Sequence, residues 1–183
     1  MLYRRFPLIP GAAPDEPGGP LYIPRIDQGD GRHDNPDSYG ALYVSRHPAS
    51  PVAELLKDVP LGRLQPALLR HEGRSYALIA LDDSDLDGVV DLDDPRILSD
   101  RGLRPSLVAT GRRTVTQRTA LDIYRGGATG ISWWSTIEAS WTNVTLFAER
   151  ATRRLVAAGE PEPLTPDHPA VREAAEAVGV LLP

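Results

Sequence analysis

An acidic segment between Asp82 and Asp94 combines residue types and spacing that suit a calcium site. Side-chain oxygens recur there at the ligand positions of an EF-hand loop, and a glycine stands where that loop turns sharply. The residues are Asp83, Asp85, Asp87, Gly88, Asp91 and Asp94. The flanking sequence, however, predicts a strand and a proline-led segment where an EF-hand has two helices, and the last ligand is aspartate in place of the longer glutamate. We therefore interpret the segment as a solvated acidic turn and expect no metal.

The residue types do not favour a cysteine or histidine metal site, or a nucleophilic cysteine or serine. The chain has no cysteine, which excludes disulfides, thiolate zinc sites and a cysteine nucleophile. The histidines are His33, His47, His71 and His168, and they have no metal-ligand spacing between them. The sequence places no histidine to activate Ser135, so a covalent role for this serine is not expected.

Two polar side chains face away from apolar neighbours because of the periodicity of their elements. In GALYVS, the alternation of a half-buried strand puts Tyr43 on the face opposite Leu42 and Val44. HPASPVAELLKDV, residues 47–59, predicts a helix with prolines near its first turn. Its apolar stripe consists of Val52, Leu55, Leu56 and Val59. Glu54 lies nearly opposite that stripe and is expected to face solvent or a cleft.

The remaining elements predict an α+β fold. Residues 10–40 are rich in turn-forming residues and predict a long irregular segment that is a candidate functional loop. Strands are predicted for SYALIAL, GISWWS and NVTLFAE, and helices for Thr116 to Tyr124 and for the segment beginning near His168 and Pro169. Strands and helices do not alternate regularly, which favours a mixed, largely antiparallel sheet with flanking helices.

Length and charge narrow the functional classes. A chain of 183 residues fits one domain of ordinary size. The net charge of −5 disfavours direct nucleic-acid binding, and the arginine pairs, such as Arg4 with Arg5 and Arg112 with Arg113, are too scattered to predict a basic patch. No apolar run predicts a signal peptide or a membrane span, so a cytoplasmic protein is expected.

Three blocks of sequence, in order, resemble a RES domain, a family named for an arginine, a glutamate and a serine. They are LYRR, GRHDNPDSYGALYVSRHPASPVAELL and GISWWSTIEASWTNVTLF. The matching positions are Gly31, Arg32, Tyr43, Glu54, Gly130, Ile131, Trp134, Ser135, Asn143, Leu146 and Phe147. The resemblance runs from Leu2 to about Glu149. His33 departs from the family pattern, which more often has an aromatic residue after the arginine.

The resemblance implies a split sheet similar to that of ADP-ribosyltransferases and a cleft that binds NAD⁺ as substrate. It implies a catalytic domain over residues 1–150 and a tail over 151–183 whose short helix packs on the same domain. Cleavage of the nicotinamide–ribose bond builds positive charge on the ribose, so Glu54 is predicted to stabilise that cation and Arg32 to grip the pyrophosphate. Tyr43 is predicted to stack on nicotinamide or to bond the ribose, and Ser135 and Asn143 to hydrogen-bond the ligand or orient the same region.

The same resemblance implies a partner and leaves the acceptor open. Toxic family members are neutralised by an Xre-type helix-turn-helix antitoxin that covers the active site, and a homo-oligomer within that complex is compatible with the sequence. The ADP-ribose can pass to water, to phosphate or to a protein side chain. The alternatives are therefore an ADP-ribosyltransferase that modifies a host protein and, outside enzymes, a calcium- or protein-binding module that uses the acidic segment.

Overall fold

The computed structural model describes residues 1–59 and 62–183 and contains one mixed sheet. Its strands are β1 (Leu2–Pro7), β2 (Ala41–Ser45), β3 (Arg70–His71), β4 (Arg74–Asp82), β5 (Val89–Asp91), β6 (Gly130–Trp134), β7 (Thr142–Phe147), β8 (Val156–Ala157) and β9 (Glu162–Pro163). The order is β3-β4-β1-β2-β7-β6-β5, and β8 and β9 both pair with β4. Among the described strand pairs, only β5 and β6 run parallel.

The sheet is open on one side of its centre, between β1 and β2. Strand β1 pairs with β4 along its whole length, from Leu2 to Pro7, but pairs with β2 only where Tyr3 faces Ser45. Beyond that point the free edge of β2 is closed by a side chain from the irregular segment: Gln28 accepts a hydrogen bond from the amide of Ala41 and donates one to its carbonyl, at 2.9 and 2.7 Å. The side-chain amide thus replaces a neighbouring strand, and the sheet splits there.

Helices cover both faces of the sheet. They are α1 (Ser50–Leu56), α2 (Pro95–Asp100), α3 (Pro105–Val108), α4 (Arg113–Arg125), α5 (Ala148–Ala151) and α6 (Pro169–Val178). Helix α1 packs against α6, and the buried residues between them include Val52, Leu56, Val171 and Ala174. Helix α4 packs on β6 through Ile123 and its neighbours. No helix in the described ranges is long and apolar enough to cross a membrane.

The predicted α+β class with a largely antiparallel, split sheet is confirmed. The helix predicted over 47–59 is shorter, Ser50–Leu56, because Pro51 belongs to its first turn and cannot continue a helix begun earlier. The helix predicted from Thr116 starts at Arg113 and ends, as predicted, at Gly126 and Gly127, the latter with φ of +91°. The long segment over 10–40 contains only turns, bends, an isolated bridge and a short 3₁₀ helix at Arg25–Asp27.

The acidic segment does not gather its carboxylates. Asp83 pairs with the amino terminus at 2.7 Å and with Arg46 at 2.5 Å, and Asp87 pairs with Arg154. The downstream flank differs from the prediction, because α2 begins at Pro95 and Asp94 caps it by accepting from the amide of Arg96 at 2.8 Å. Within the described part of the chain, no group of three histidine, cysteine, aspartate or glutamate side chains could hold a metal ion. Asp83, Asp87 and Asp94 thus hold neighbouring parts of the chain together. The interpretation of the segment as a solvated turn is wrong for Asp83, whose side chain is 8% exposed.

Candidate active site

A cleft of about 320 Å³ lies at the open side of the split between β1 and β2. Its walls come from β1, β2, the irregular segment, α1, α4, β6 and β7. The lining residues are Arg5, Gly31, Arg32, Tyr43, Val44, Ser45, Pro51, Glu54, Lys57, Arg113, Trp133, Thr136 and Asn143. The fold thus brings together Arg32, Tyr43, Glu54 and Asn143, which lie far apart in the sequence. Ser135 is absent from this wall, where its neighbour Thr136 takes part.

The cleft is strongly basic although the chain is acidic overall. Its described wall carries Arg5, Arg32, Lys57 and Arg113 against the carboxylate of Glu54. Arg5 is held by a hydrogen bond from Nε to the carbonyl of Pro51 at 3.0 Å, and Arg113 by one from Nε to the carbonyl of Asp30 at 3.0 Å. Guanidinium groups held by neutral carbonyls keep their charge for a ligand. The arrangement suits a diphosphate.

Arg32 is the most firmly fixed of these cations. Its Nη1 donates to the carbonyls of Val108 and Thr110, at 2.8 and 2.9 Å, and its own carbonyl accepts from Thr116 Oγ1. Burial is the main cause that lowers the pKa of Arg32, followed by the charge of Arg113, while Glu54 opposes the shift. An arginine stays protonated at neutral pH despite such a shift. Its Nε and Nη2 groups have no hydrogen-bond acceptor in the described ranges, so they are available to a bound anion.

A buried carboxylate organises the loop that carries Arg32. Asp34, which is 6% exposed, accepts from the amides of Gly29 and Gly31 through Oδ2, at 2.9 and 2.7 Å. Its Oδ1 accepts from the hydroxyl of Tyr43 at 2.7 Å. The first turns of α4 hold the same loop, because Gln117 donates to the carbonyls of Gly29 and Gly31. Asp34 therefore ties the Arg32 loop to β2, and no sequence pattern identified it.

Tyr43 faces away from Leu42 and Val44 as predicted, and its hydroxyl is already engaged. The hydroxyl donates to Asp34 and accepts from the amide of His33 at 2.9 Å. Burial, and then the carboxylate of Asp34, raise the pKa of Tyr43 far above its usual range. The phenol therefore stays neutral, and its proton is not available to a ribose oxygen in this arrangement. The ring remains free to line the cleft, so the predicted stacking role stays a prediction.

His33 is a core residue beneath the cleft. It is 2% exposed, its Nδ1 lies 2.8 Å from Thr145 Oγ1, and its ring meets Trp133 edge to face with 4.6 Å between centroids. Burial lowers the pKa of His33 to about 3, and the charges of Arg32 and Arg113 act in the same direction. The imidazole is therefore neutral at physiological pH. It supports the wall of the cleft without adding charge.

Stability should fall in mild acid because of His33. In the unfolded chain the imidazole binds a proton near pH 6.5, whereas in the folded protein it resists protonation down to about pH 3. The unfolded state thus binds more protons between these values, and the free energy of unfolding decreases as the pH falls through this window. We expect a loss of about 2 kcal/mol between pH 7 and pH 5 from this residue.

Urea titrations at several pH values test this expectation. His33→Asn should be less stable at every pH but should lack this part of the pH dependence. The exposed His71→Asn serves as the matched control and should retain the wild-type slope. Equal slopes for wild type and His33→Asn would contradict the assignment.

Glu54 lies on α1 facing the cleft, as the helical period predicts. Its Oε2 is 2.7 Å from the Nζ of Lys57, one turn further along the chain, and both side chains remain partly exposed. An exposed ion pair of this kind contributes little to stability. The carboxylate of Glu54 therefore faces the cleft without a strong partner, and it can leave Lys57 to bind groups of a ligand.

Asn143 and Ser135 differ in what they offer a ligand. The Oδ1 of Asn143 accepts from Ser50 Oγ at 2.7 Å, so its Nδ2 is left to donate into the cleft that the residue lines. Ser135 is 2% exposed, its amide donates to the carbonyl of Trp141 at 2.7 Å, and its Oγ accepts from the amide of Ile137 at 3.1 Å. Ser135 thus shapes the loop that carries Thr136. Its predicted contact with a ligand stays a prediction.

Gly31 lies so close to the side chains of Asp34 and Tyr43 that a larger residue at this position would displace them. A Cβ atom at this position would lie 2.5 Å from Asp34 Oδ1 and 2.6 Å from the hydroxyl of Tyr43. Gly31→Ala should therefore destabilise the fold by about 1–3 kcal/mol. Thermal unfolding checks this, with Gly29→Ala as control because a Cβ there meets nothing within 4 Å. Equal melting temperatures for the two variants would contradict the expected clash.

The sequence shows no pattern that assigns Arg5 and Arg113 to the cleft. Both belong to arginine pairs whose scatter along the sequence predicts no basic patch. This prediction is wrong for Arg5 and Arg113, because one residue of each pair reaches the cleft. For Arg5 the available signal was the first resembling block, LYRR, which was matched without a role. For Arg113 no signal exists in the sequence, because the fold alone brings the start of α4 to the Arg32 loop.

Comparisons with known proteins agree with this fold. A family model for the RES domain matches residues 11–167, and the chain therefore belongs to the RES domain family. Among solved structures, it is similar to a chain in the crystal structure of the M. tuberculosis MbcT-MbcA toxin-antitoxin complex. The TM-score is 0.68 with 18% sequence identity, over 96% of this chain and 88% of that one, which shows a shared fold. None of the curated proteins matches the chain.

Proposed function

We propose that this RES domain cleaves NAD⁺ between nicotinamide and ribose, and that it is the toxin of a toxin-antitoxin pair. The observation that carries the proposal is the composition of the cleft wall: a carboxylate, Glu54, shares a space with three arginines and a lysine. A dinucleotide presents the matching groups, which are a diphosphate for the cations and a ribose that becomes positively charged for the carboxylate. The shared fold with a chain of a toxin-antitoxin complex supports the second half of the proposal.

The proposed reaction breaks the bond between C1′ of the ribose and N1 of nicotinamide. The bonding electron pair passes to N1, which neutralises the pyridinium, and the positive charge develops on the ribose. Glu54 stabilises this oxocarbenium-like state and accepts hydrogen bonds from ribose hydroxyls. Water or phosphate then forms the new bond to C1′, and a proton is released when water is the acceptor. Arg32 and Arg113 hold the diphosphate in place during these steps.

A basic cleft open to solvent also fits an acidic or carboxylate-bearing segment of an antitoxin. An antitoxin that fills the cleft would exclude NAD⁺ by direct competition. The family resemblance supports an antitoxin of the Xre-type helix-turn-helix class. Co-purification of this protein with the product of a neighbouring gene of that class tests the partnership.

The experiment that tests the enzymatic proposal is the release of free nicotinamide from NAD⁺ by purified protein. It is run with and without phosphate and with ³²P-labelled NAD⁺ in the presence of candidate acceptor proteins. Release supports the reaction, stimulation by phosphate identifies phosphorolysis, and label on protein identifies an ADP-ribosyltransferase. No release from folded protein free of antitoxin would overturn the proposal.

A further inference from the structure

A second cavity, of about 460 Å³, adjoins the cleft and is not used by the proposed reaction. It lies where the irregular segment and the β3-β4 hairpin meet the end of β1. Arg5 lines both spaces. The residues that give the second cavity its character are Tyr22, Asp27, His71, Glu72, Arg74 and Tyr76.

Arg5 stands at the junction between the two spaces in a defined geometry. Its Nε donates to the carbonyl of Pro51 at the start of α1, and its guanidinium carbon lies 4.4 Å from the ring centroid of Tyr76 in β4. The hydrogen bond to Pro51 holds Arg5 beside the cleft, and the contact with Tyr76 holds it beside the second cavity. Its Nη groups have no acceptor among the described residues, so they can bind phosphate oxygens that lie between the two spaces.

The second cavity has the groups that a nucleoside needs. Tyr22 provides an aromatic ring, and no described aromatic residue stacks on it. Asp27 and Glu72 are acceptors for ribose hydroxyls or an exocyclic amine, and Arg74 is a donor. Arg4 adds a buried cation to the wall: burial lowers its pKa to about 9, still above neutrality, and its guanidinium donates to the carbonyls of Pro20 and Tyr22.

The volumes of the cleft and the second cavity also favour a nucleoside in the second cavity. Small-molecule sites occupy roughly 300–1,000 Å³, and the cleft is at the lower end of that range. A dinucleotide consists of two nucleotides joined by a diphosphate, so it can extend from the cleft into the adjoining cavity. The adjoining cavity is of sufficient volume to receive the second nucleoside.

We propose that the second cavity binds the adenosine half of a dinucleotide substrate, and that Arg5 contacts the diphosphate between the two halves. This inference rests on the proposed function. It assigns the nicotinamide half to the cleft beside Glu54 and the adenine to the ring of Tyr22. It also makes the β3-β4 hairpin part of substrate recognition.

The turn of that hairpin supports a role for Glu72. Glu72 and Gly73 form its two-residue connection with φ of +48° and +80°, and Glu72 is the non-glycine residue with positive φ in the described ranges. Asparagine suits such a position better than glutamate. The variant Glu72→Asn therefore keeps the turn and removes only the carboxylate, which makes it a clean test.

Steady-state cleavage of two substrates tests the proposal. NAD⁺ and nicotinamide mononucleotide contain the same scissile bond, but the second lacks the adenosine half. We expect Tyr22→Ala and Arg74→Ala to lower the ratio of kcat/KM for NAD⁺ to kcat/KM for the mononucleotide about tenfold, since each removes a contact to the adenosine half only. Glu72→Asn should lower the same ratio by about threefold without loss of thermal stability.

Arg101→Ala is the matched control, because Arg101 is an exposed arginine that lines neither the cleft nor the second cavity. It should leave the ratio at the wild-type value. An unchanged ratio in Tyr22→Ala and Arg74→Ala, with NAD⁺ still cleaved, would overturn the adenosine site alone. Cleavage of neither substrate by the wild type would overturn the proposed function and this inference together.

Discussion

Glu54→Gln is expected to lower the rate of nicotinamide release from NAD⁺ by at least about 100-fold. The amide keeps the size and the hydrogen-bonding reach of the side chain but removes the negative charge that stabilises the developing ribose cation. Because the charge acts in the transition state more than in the ground state, kcat should fall while KM changes little. Initial rates measured at NAD⁺ concentrations below and above KM separate the two effects.

The same substitution should leave the fold intact. Glu54 is partly exposed, and its described partner is Lys57 in an exposed ion pair, so the free energy of unfolding should change by less than about 1 kcal/mol. Glu176→Gln, an isosteric change at an exposed position of α6, is the matched control and should retain full activity. Wild-type turnover in Glu54→Gln would exclude Glu54 as the stabilising carboxylate.

The positions of Tyr43 and Glu54 were predictable because they depend on local periodicity. A strand alternates and a helix repeats, so the apolar neighbours of each residue determine which way it points. Both residues line the cleft. The split in the sheet was expected only through the family resemblance, because its cause is the Gln28 side chain, which satisfies the edge of β2.

Arg5 and Arg113 could not be predicted, because their importance arises from tertiary structure. Each is one member of an arginine pair on an otherwise acidic chain, and nothing in composition distinguishes it from its neighbour. In the structure Arg5 points to the α1 side of the sheet, whereas Arg4 donates to the irregular segment. The basic cleft is thus assembled from arginines that are scattered in the sequence.

Ser135 and Asp34 show what a sequence motif does and does not say about the role of a residue. Ser135 belongs to the resembling block, its Oγ accepts a hydrogen bond from the amide of Ile137 in its own loop, and its contact with a ligand stays a prediction. Asp34 carries no signal beyond its place in a turn-rich segment, yet it holds together the loop that presents Arg32. Sequence resemblance identifies which residues recur. It does not say whether a residue touches the ligand or supports one that does.

Asp34→Asn is expected to destabilise the protein by about 2 kcal/mol and to lower the melting temperature by about 4–8 °C. The carboxylate accepts three hydrogen bonds, from two amides and from the hydroxyl of Tyr43. An amide can accept from only one side, so its NH₂ group must face a donor or lose a partner in a buried place. Asp37→Asn is the control, since Asp37 lies in the same loop but is exposed.

The effect on activity should follow from the loop that Asp34 holds. Gly29 and Gly31 flank Asp30, whose carbonyl accepts from Arg113, and Arg32 follows directly. A loosened loop therefore displaces two cations at once, and KM for NAD⁺ should rise about tenfold with a smaller change in kcat. A Tm and a KM in Asp34→Asn equal to those of Asp37→Asn would contradict this coupling.

A double-mutant cycle with Tyr43→Phe separates the role of the hydroxyl from that of the ring. If Asp34 acts through Tyr43, the two substitutions should be less than additive in unfolding free energy by about 1–2 kcal/mol, because either one removes the same hydrogen bond. Tyr43→Phe also leaves the amide of His33 without its acceptor, which joins the stability of the loop to the core beneath it. Additive effects would mean that the carboxylate acts only through the glycine amides, and that β2 and the Arg32 loop are held together by other contacts.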